Sequence, residues 1–259
     1  MFWEDIEPNI TSRLKAAVEH AYDVFGKYRL DSIITHCDCP VCMNAETARE
    51  LSKRPLEEIS AGLLGEYTNS AHGYDRETVE PEFKHFLPRY FDLIAQCQIP
   101  SPLCIEICLA RLREAQYRAN WPAEEIAVVE EFFQAFVEAC IGQTGLEKWP
   151  SGMRLAMDLG EVLVMISLAG GDLDAALDTF DKADDPAAAL HMAAMRGDLS
   201  VKDGETFYFQ EHLSNFPQAA RTIGQFLVRD SVTERIGNAI DLIDNPDYDT
   251  ILDTGLLLG

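Results

Sequence analysis

Apolar side chains recur at three- and four-residue spacing along most of this chain, and no stretch alternates convincingly between apolar and polar residues. That pattern calls for helices with one buried stripe each and leaves little or no sheet. Successive helices joined by short turns predict an all-α fold, an irregular bundle or a solenoid-like array of α-hairpins. With 259 residues, 47% of them hydrophobic, the chain can build a sizeable core. We read one domain over residues 1–259, with a soft subdivision near 145–150, where aromatic density falls and Ala and Asp become more frequent.

The pattern places a first helix from Ile10 to Tyr28, capped by Asn9, and a short one over residues 45–53. Another runs from Pro55 to about Ser70. Leu30 to Thr35 is the one β-leaning stretch. Pro88 interrupts the aromatic segment Pro81 to Gln96, so a turn followed by a helix starting near Pro88 is expected. Ser101 is read as the cap of a helix reaching about Asn120. Trp121-Pro122 and Trp149-Pro150 form a weak internal echo, each expected to precede a helix of about twenty residues. Shorter helices are placed over 172–183, 186–196, 210–228, 230–243 and 247–257.

The charge narrows the function classes. Asp and Glu number 44 against 21 Lys and Arg, a net charge of -23, and both halves of the chain share the excess. Phosphate backbones and anionic membrane surfaces repel such a chain, so neither nucleic acid nor membrane is an expected partner. A protein partner is compatible with it. No basic, apolar leader is visible at the start, and the most apolar stretch, Val162 to Ala169, is too short to span a bilayer. The expected compartment is the cytoplasm, where the seven cysteines would be reduced thiols or metal ligands.

The pointed chemical feature is the loop His36-Cys37-Asp38-Cys39-Pro40-Val41-Cys42. Cys39 and Cys42 form a C-x-x-C pair, the spacing that lets two thiolates hold one tetrahedral zinc ion. Cys37 or His36 would supply a third ligand, and His72 or His85 a fourth. A redox dithiol and a set of packed free thiols are the competing readings. Cys104 and Cys108, four apart on an apolar helical face, read as core residues, as does Cys140. In Phe83-Lys84-His85-Phe86-Leu87-Pro88-Arg89, Lys84 and Arg89 are expected at the wet edge of an aromatic core segment.

The His-Cys loop, followed some forty residues later by Phe-Lys-His-Phe-Leu-Pro-Arg and then by the tryptophan-led helix at Trp121, resembles a bacterial family of helical proteins with no known activity. The resemblance covers roughly residues 30–150. It implies that Cys39, Cys42 and Leu87-Pro88-Arg89 belong to a shared design, and it leaves Cys37 outside that pattern.

Other motifs are missing or incomplete. The aspartates from Asp241 to Asp253 lack the glycine and glutamate of a calcium loop. No phosphate-binding glycine loop, nucleophile elbow or H-E-x-x-H pair is present. The expected function is therefore a non-enzymatic helical interaction protein with a structural zinc site in its N-terminal third. The alternative is a metal- or thiol-dependent enzyme, or a redox sensor, centred on Cys39 and Cys42.

Overall fold

The computed structural model describes residues 3, 6–37, 39, 42–71, 73–150, 152–243 and 245–257. Helices dominate them, with two small antiparallel hairpins. The chain groups into two compact units, an N-terminal one of residues 7–136 and 168–171, and a C-terminal one of residues 1–6, 137–167 and 172–259. No helix among the described residues is long and apolar enough to cross a membrane.

The N-terminal unit is built on α1 (Ser12–Phe25), α2 (Ala45–Lys53), α3 (Ala61–Thr68), α4 (Val79–Ala95), the short α5 (Arg111–Ala115) and α6 (Tyr117–Asn120), and most of α7 (Ala123–Ile141). Thr11 caps α1, its side chain accepting from the Leu14 amide at 3.1 Å, so the helix starts later than Asn9 would set it. α4 runs through Pro88 without a break, contrary to the interruption expected there. An internal proline costs a helix about 3 kcal/mol. Here Phe83, Phe86, Leu87, Tyr90, Phe91, Leu93 and Ile94 are all fully buried, and burying one such side chain contributes about 1.5–3 kcal/mol. Packing therefore outweighs the proline. Tyr67 packs on Phe86, and Phe91 stacks on Phe132 at 4.0 Å.

The helix expected from Ser101 to Asn120 is mostly absent. Residues 101–110 form turns, and α5 and α6 are divided at Gln116, whose φ of 48° is left-handed. The stretch from Leu30 to Thr35 forms no strand. Its amides at Ile34 and Thr35 are taken by the side chains of Ser52 and Glu82.

The C-terminal unit contains β1 (Leu146–Trp149), β2 (Gly152–Leu155), most of α8 (Leu159–Ala169), α9 (Leu173–Lys182), α10 (Pro186–Arg196), β3 (Leu199–Lys202), β4 (Glu205–Tyr208), α11 (Pro217–Leu227), α12 (Asp230–Leu242) and α13 (Pro246–Leu257). Trp149-Pro150 closes the first hairpin instead of opening a helix, with Trp149 opposite Gly152 and Leu146 opposite Leu155. The second hairpin turns on Asp203 and Gly204, both at positive φ (55° and 80°), which is what a two-residue hairpin turn requires.

α10 is the centre of this unit and packs against α12 and α13. A Cβ at Gly255 would lie 2.5 Å from the Ala193 Cβ, so glycine sets how closely α13 approaches α10. Arg196, at the end of α10, is fully buried. It donates to the carbonyls of Leu227 (2.9 Å) and Gly255 (3.0 Å) and to Thr233 Oγ1 (2.7 Å), joining α10 to the ends of α11 and α13 and to α12.

Candidate metal centre

The Cys loop links α1 to α2, and its two flanks are held independently of the thiols. On the incoming side, the Ile34 amide donates to Ser52 Oγ at 2.9 Å. The amide and hydroxyl of Thr35 both donate to Glu82 Oε1, at 2.9 and 3.0 Å. On the outgoing side, buried Met43 precedes Asn44, whose side chain caps α2 by accepting from the amides of Glu46 and Thr47.

Between these anchors the sulfurs of Cys37, Cys39 and Cys42 lie within 4.8 Å of one another, each half-buried. The Cys39 amide donates to Cys37 Sγ at 3.4 Å. The Ala71 amide, 29 residues further along the chain, donates to Cys42 Sγ at 3.4 Å. Amides pointing at sulfur stabilise a thiolate over a thiol. For Cys42 the Ala71 amide acts that way most strongly. Hydrogen bonding from Cys39 and Cys37, partial burial and the charge of Cys39 together outweigh it and raise the thiol above its ordinary range. A raised thiol is the opposite of the lowered pKa of an activated redox thiol. Three clustered sulfurs of this kind could hold a metal ion.

The histidines are placed differently. His36 Nδ1 is turned back on the Ile34 carbonyl at 3.2 Å. His85 donates from Nδ1 to the Tyr28 carbonyl at 3.0 Å, and burial lowers its pKa so that the ring stays neutral. Neither ring belongs to the group of sulfurs. His72 lies outside the described residues.

Cys97, Cys108 and Cys140 are buried, and Cys104 is half-buried. Burial pushes Cys97 up to about 11. Burial, then the Glu106 charge, push Cys104 up to about 12, and burial raises Cys108 well above the ordinary thiol range. Cys97, Cys104 and Cys108 therefore stay protonated.

No protein-family model, curated protein or solved structure matches this chain.

Two buried charges support the loop, and sequence reasoning overlooked both. Glu82 grips Thr35 through Oε1, while its Oε2 is buried without a hydrogen-bond partner. Burial raises its pKa against the pull of the Thr35 donors. Arg111 is buried beside it in the same unit, donating to the Ser70 carbonyl at 3.0 Å with its guanidinium over the Tyr67 ring. Thr35 is two residues before Cys37, and Ser70 directly precedes the Ala71 amide that meets Cys42. Glu82 and Arg111 thus fix the two chain segments that converge on the sulfurs.

Lys84 corrects the expectation of a wet edge. It is buried, 3.0 Å from both Glu80 and Glu125, with its ammonium 4.3 Å from the centre of the Trp121 ring. Glu125 has no exposed side-chain surface, and it also meets Lys27 and the Tyr28 hydroxyl, each at 2.7 Å. A signal for these charges was present in the periodicity. Glu82 falls on the stripe of Val79, Phe86 and Tyr90, and Glu125 on that of Val128, Val129 and Phe132.

Proposed function

We propose that this chain is a non-enzymatic interaction protein whose N-terminal unit is clipped by a structural metal ion bound to Cys37, Cys39 and Cys42. The carrying observation is the mutual approach of the three sulfurs within 4.8 Å. A tetrahedral zinc ion about 2.3 Å from each sulfur sets sulfur–sulfur separations of about 3.8 Å, so only small rotamer adjustments separate the cluster from a closed site. Thiolate donors favour zinc among the abundant divalent ions. The fourth ligand in this reading is His72, the residue that follows Ala71 in the sequence. His36 and His85 are already committed to carbonyls. A closed site of this kind ties the α1–α2 loop to the segment after α3 and leaves no open position for substrate. The interaction half of the proposal rests on large apolar side chains left in solvent around the second hairpin. Val201 is 73% exposed and Phe209 68%.

The test is metal analysis of protein purified without added metal, beside a Cys37→Ser, Cys39→Ser, Cys42→Ser variant and a His72→Ala variant. We expect one zinc-type ion per wild-type chain, none in the triple variant, and weakened retention in His72→Ala. The triple variant should also melt at a lower temperature. Metal-free wild-type protein with an unchanged melting temperature in the triple variant overturns the proposal.

A further inference from the structure

The C-terminal unit contains a cavity of about 250 Å³ between the β2–α8 turn and α10. That is roughly eight waters' worth of space. Trp3, Arg154, Asp158, Glu161, His191 and Asp198 are its polar lining.

His191 is the group that points to a ligand. It sits in the middle of α10 with 1% of its surface exposed. The backbone of Ile141, Gln143 and Cys140, around the end of α7 where helix carbonyls lack partners within the helix, faces its ring and favours a proton there. Nε2 has no hydrogen-bond partner, so Nδ1 carries the proton to those carbonyls. Burial lowers the His191 pKa to about 4, so the ring is neutral and Nε2 presents a lone pair. A buried acceptor left unpaired is costly to the fold.

The three carboxylates of the lining, Asp158, Glu161 and Asp198, are also acceptors. Asp158 accepts the Gly160 amide at 2.8 Å at the start of α8. Burial first, then the charge of Asp198, push its pKa up to about 6. Glu161 is engaged by the Trp3 indole at 2.7 Å. Arg154, the cation at the rim, is paired with Glu147 and lies 3.5 Å from the centre of the Trp149 ring.

The lining therefore asks for a positive ligand that donates hydrogen bonds at several points. A single directly bound metal ion fits poorly. Among the described residues, no three His, Cys, Asp or Glu ligand atoms here lie within 4.8 Å of one another. We infer that this cavity binds a small organic cation with several N–H donors, an amine or amidine, which donates to His191 Nε2 and balances the charges of Asp158 and Asp198.

The experiment follows the His191 Nε2 resonance of the full chain by nitrogen NMR at physiological salt, where loose counterions are screened. The probes are putrescine, acetamidinium, butanediol and magnesium ion. Putrescine or acetamidinium should shift the resonance saturably in the millimolar range. In Asp198→Asn the same shift should need about fivefold more ligand, the factor set by losing about 1 kcal/mol. Butanediol and magnesium should leave it in place. The inference is overturned if neither cation moves the resonance, if butanediol or magnesium moves it equally, or if Asp198→Asn binds as wild type does.

Discussion

Replacing Arg196 with methionine tests the packing of the C-terminal unit most directly. The guanidinium is fully buried, and burial lowers its pKa, yet it donates to two carbonyls and a hydroxyl. Leu227 ends α11 and Gly255 lies in the last turn of α13, so both carbonyls belong to the negative ends of helices. Hydrogen bonds to charged groups contribute about 1.5–3 kcal/mol each, or roughly 4–9 kcal/mol for three. Methionine gives part of this back, because it removes the cost of burying a charge and keeps much of the apolar stem. The expected loss is about 3–5 kcal/mol, the range seen when one partner of a buried ionic group is removed. With a urea slope of about 2 kcal/mol per molar, the unfolding midpoint should fall by roughly 1.5–2.5 M. Hydrogen exchange in peptides covering 186–257 should locate the loss in α10 to α13. Lysine cannot reach three acceptors in different directions, so Arg196→Lys should recover less than half of it. A loss below about 1 kcal/mol for methionine, or wild-type stability for lysine, would refute the reasoning.

Two further predictions concern carboxylates with shifted pKa values. In Glu125→Gln, Lys84 loses its fully buried counter-charge, and the N-terminal unit should lose about 3 kcal/mol in urea unfolding. The double variant with Lys84→Met should lose less than the sum of the two single losses. Burial alone would raise the Glu125 pKa, but Lys27, Tyr28 and Lys84 together lower it. The stability it supplies is thus present above the unfolded carboxylate pKa of about 4.3 and is lost as pH falls through the folded value. The wild-type advantage over Gln should shrink in acid. Asp158 runs the other way. Its folded pKa, about 6, exceeds the ordinary value, so the ionised side chain destabilises the fold at pH above 6. Asp158→Asn keeps an acceptor for the Gly160 amide and should raise stability by about 1–2 kcal/mol at neutral pH, with the gain fading between pH 6 and 4. A gain that persists unchanged at pH 4 would contradict this assignment.

Much of the helical framework is legible in the sequence, because amphipathic spacing is a local property. α2 and α10 coincide with the segments read from periodicity, and α7, α9, α12 and α13 do so within a residue or two. The hairpins were missed. Their strands are four residues long, too short for alternation to register, although the Asp203-Gly204 turn was a usable signal. The cysteine spacing likewise identified which thiols to examine, since a C-x-x-C pair is close in space wherever it occurs. Other features depended on neighbours distant in sequence. Pro88 stays within a helix because the aromatic face of α4 is buried, and no local rule contains that burial. Lys84 is sheltered because Glu125 and Trp121, some forty residues on, surround it. The Ala71 amide reaches Cys42 because the two segments are held by Glu82 and Arg111, and His191 keeps an unpaired nitrogen because the end of α7 takes the other one. Sequence alone determined the helical class, the acidity and the candidate thiols, all properties of composition and short-range spacing. Tertiary structure decided which polar groups lost water, and with that which charges and lone pairs have chemistry left to do.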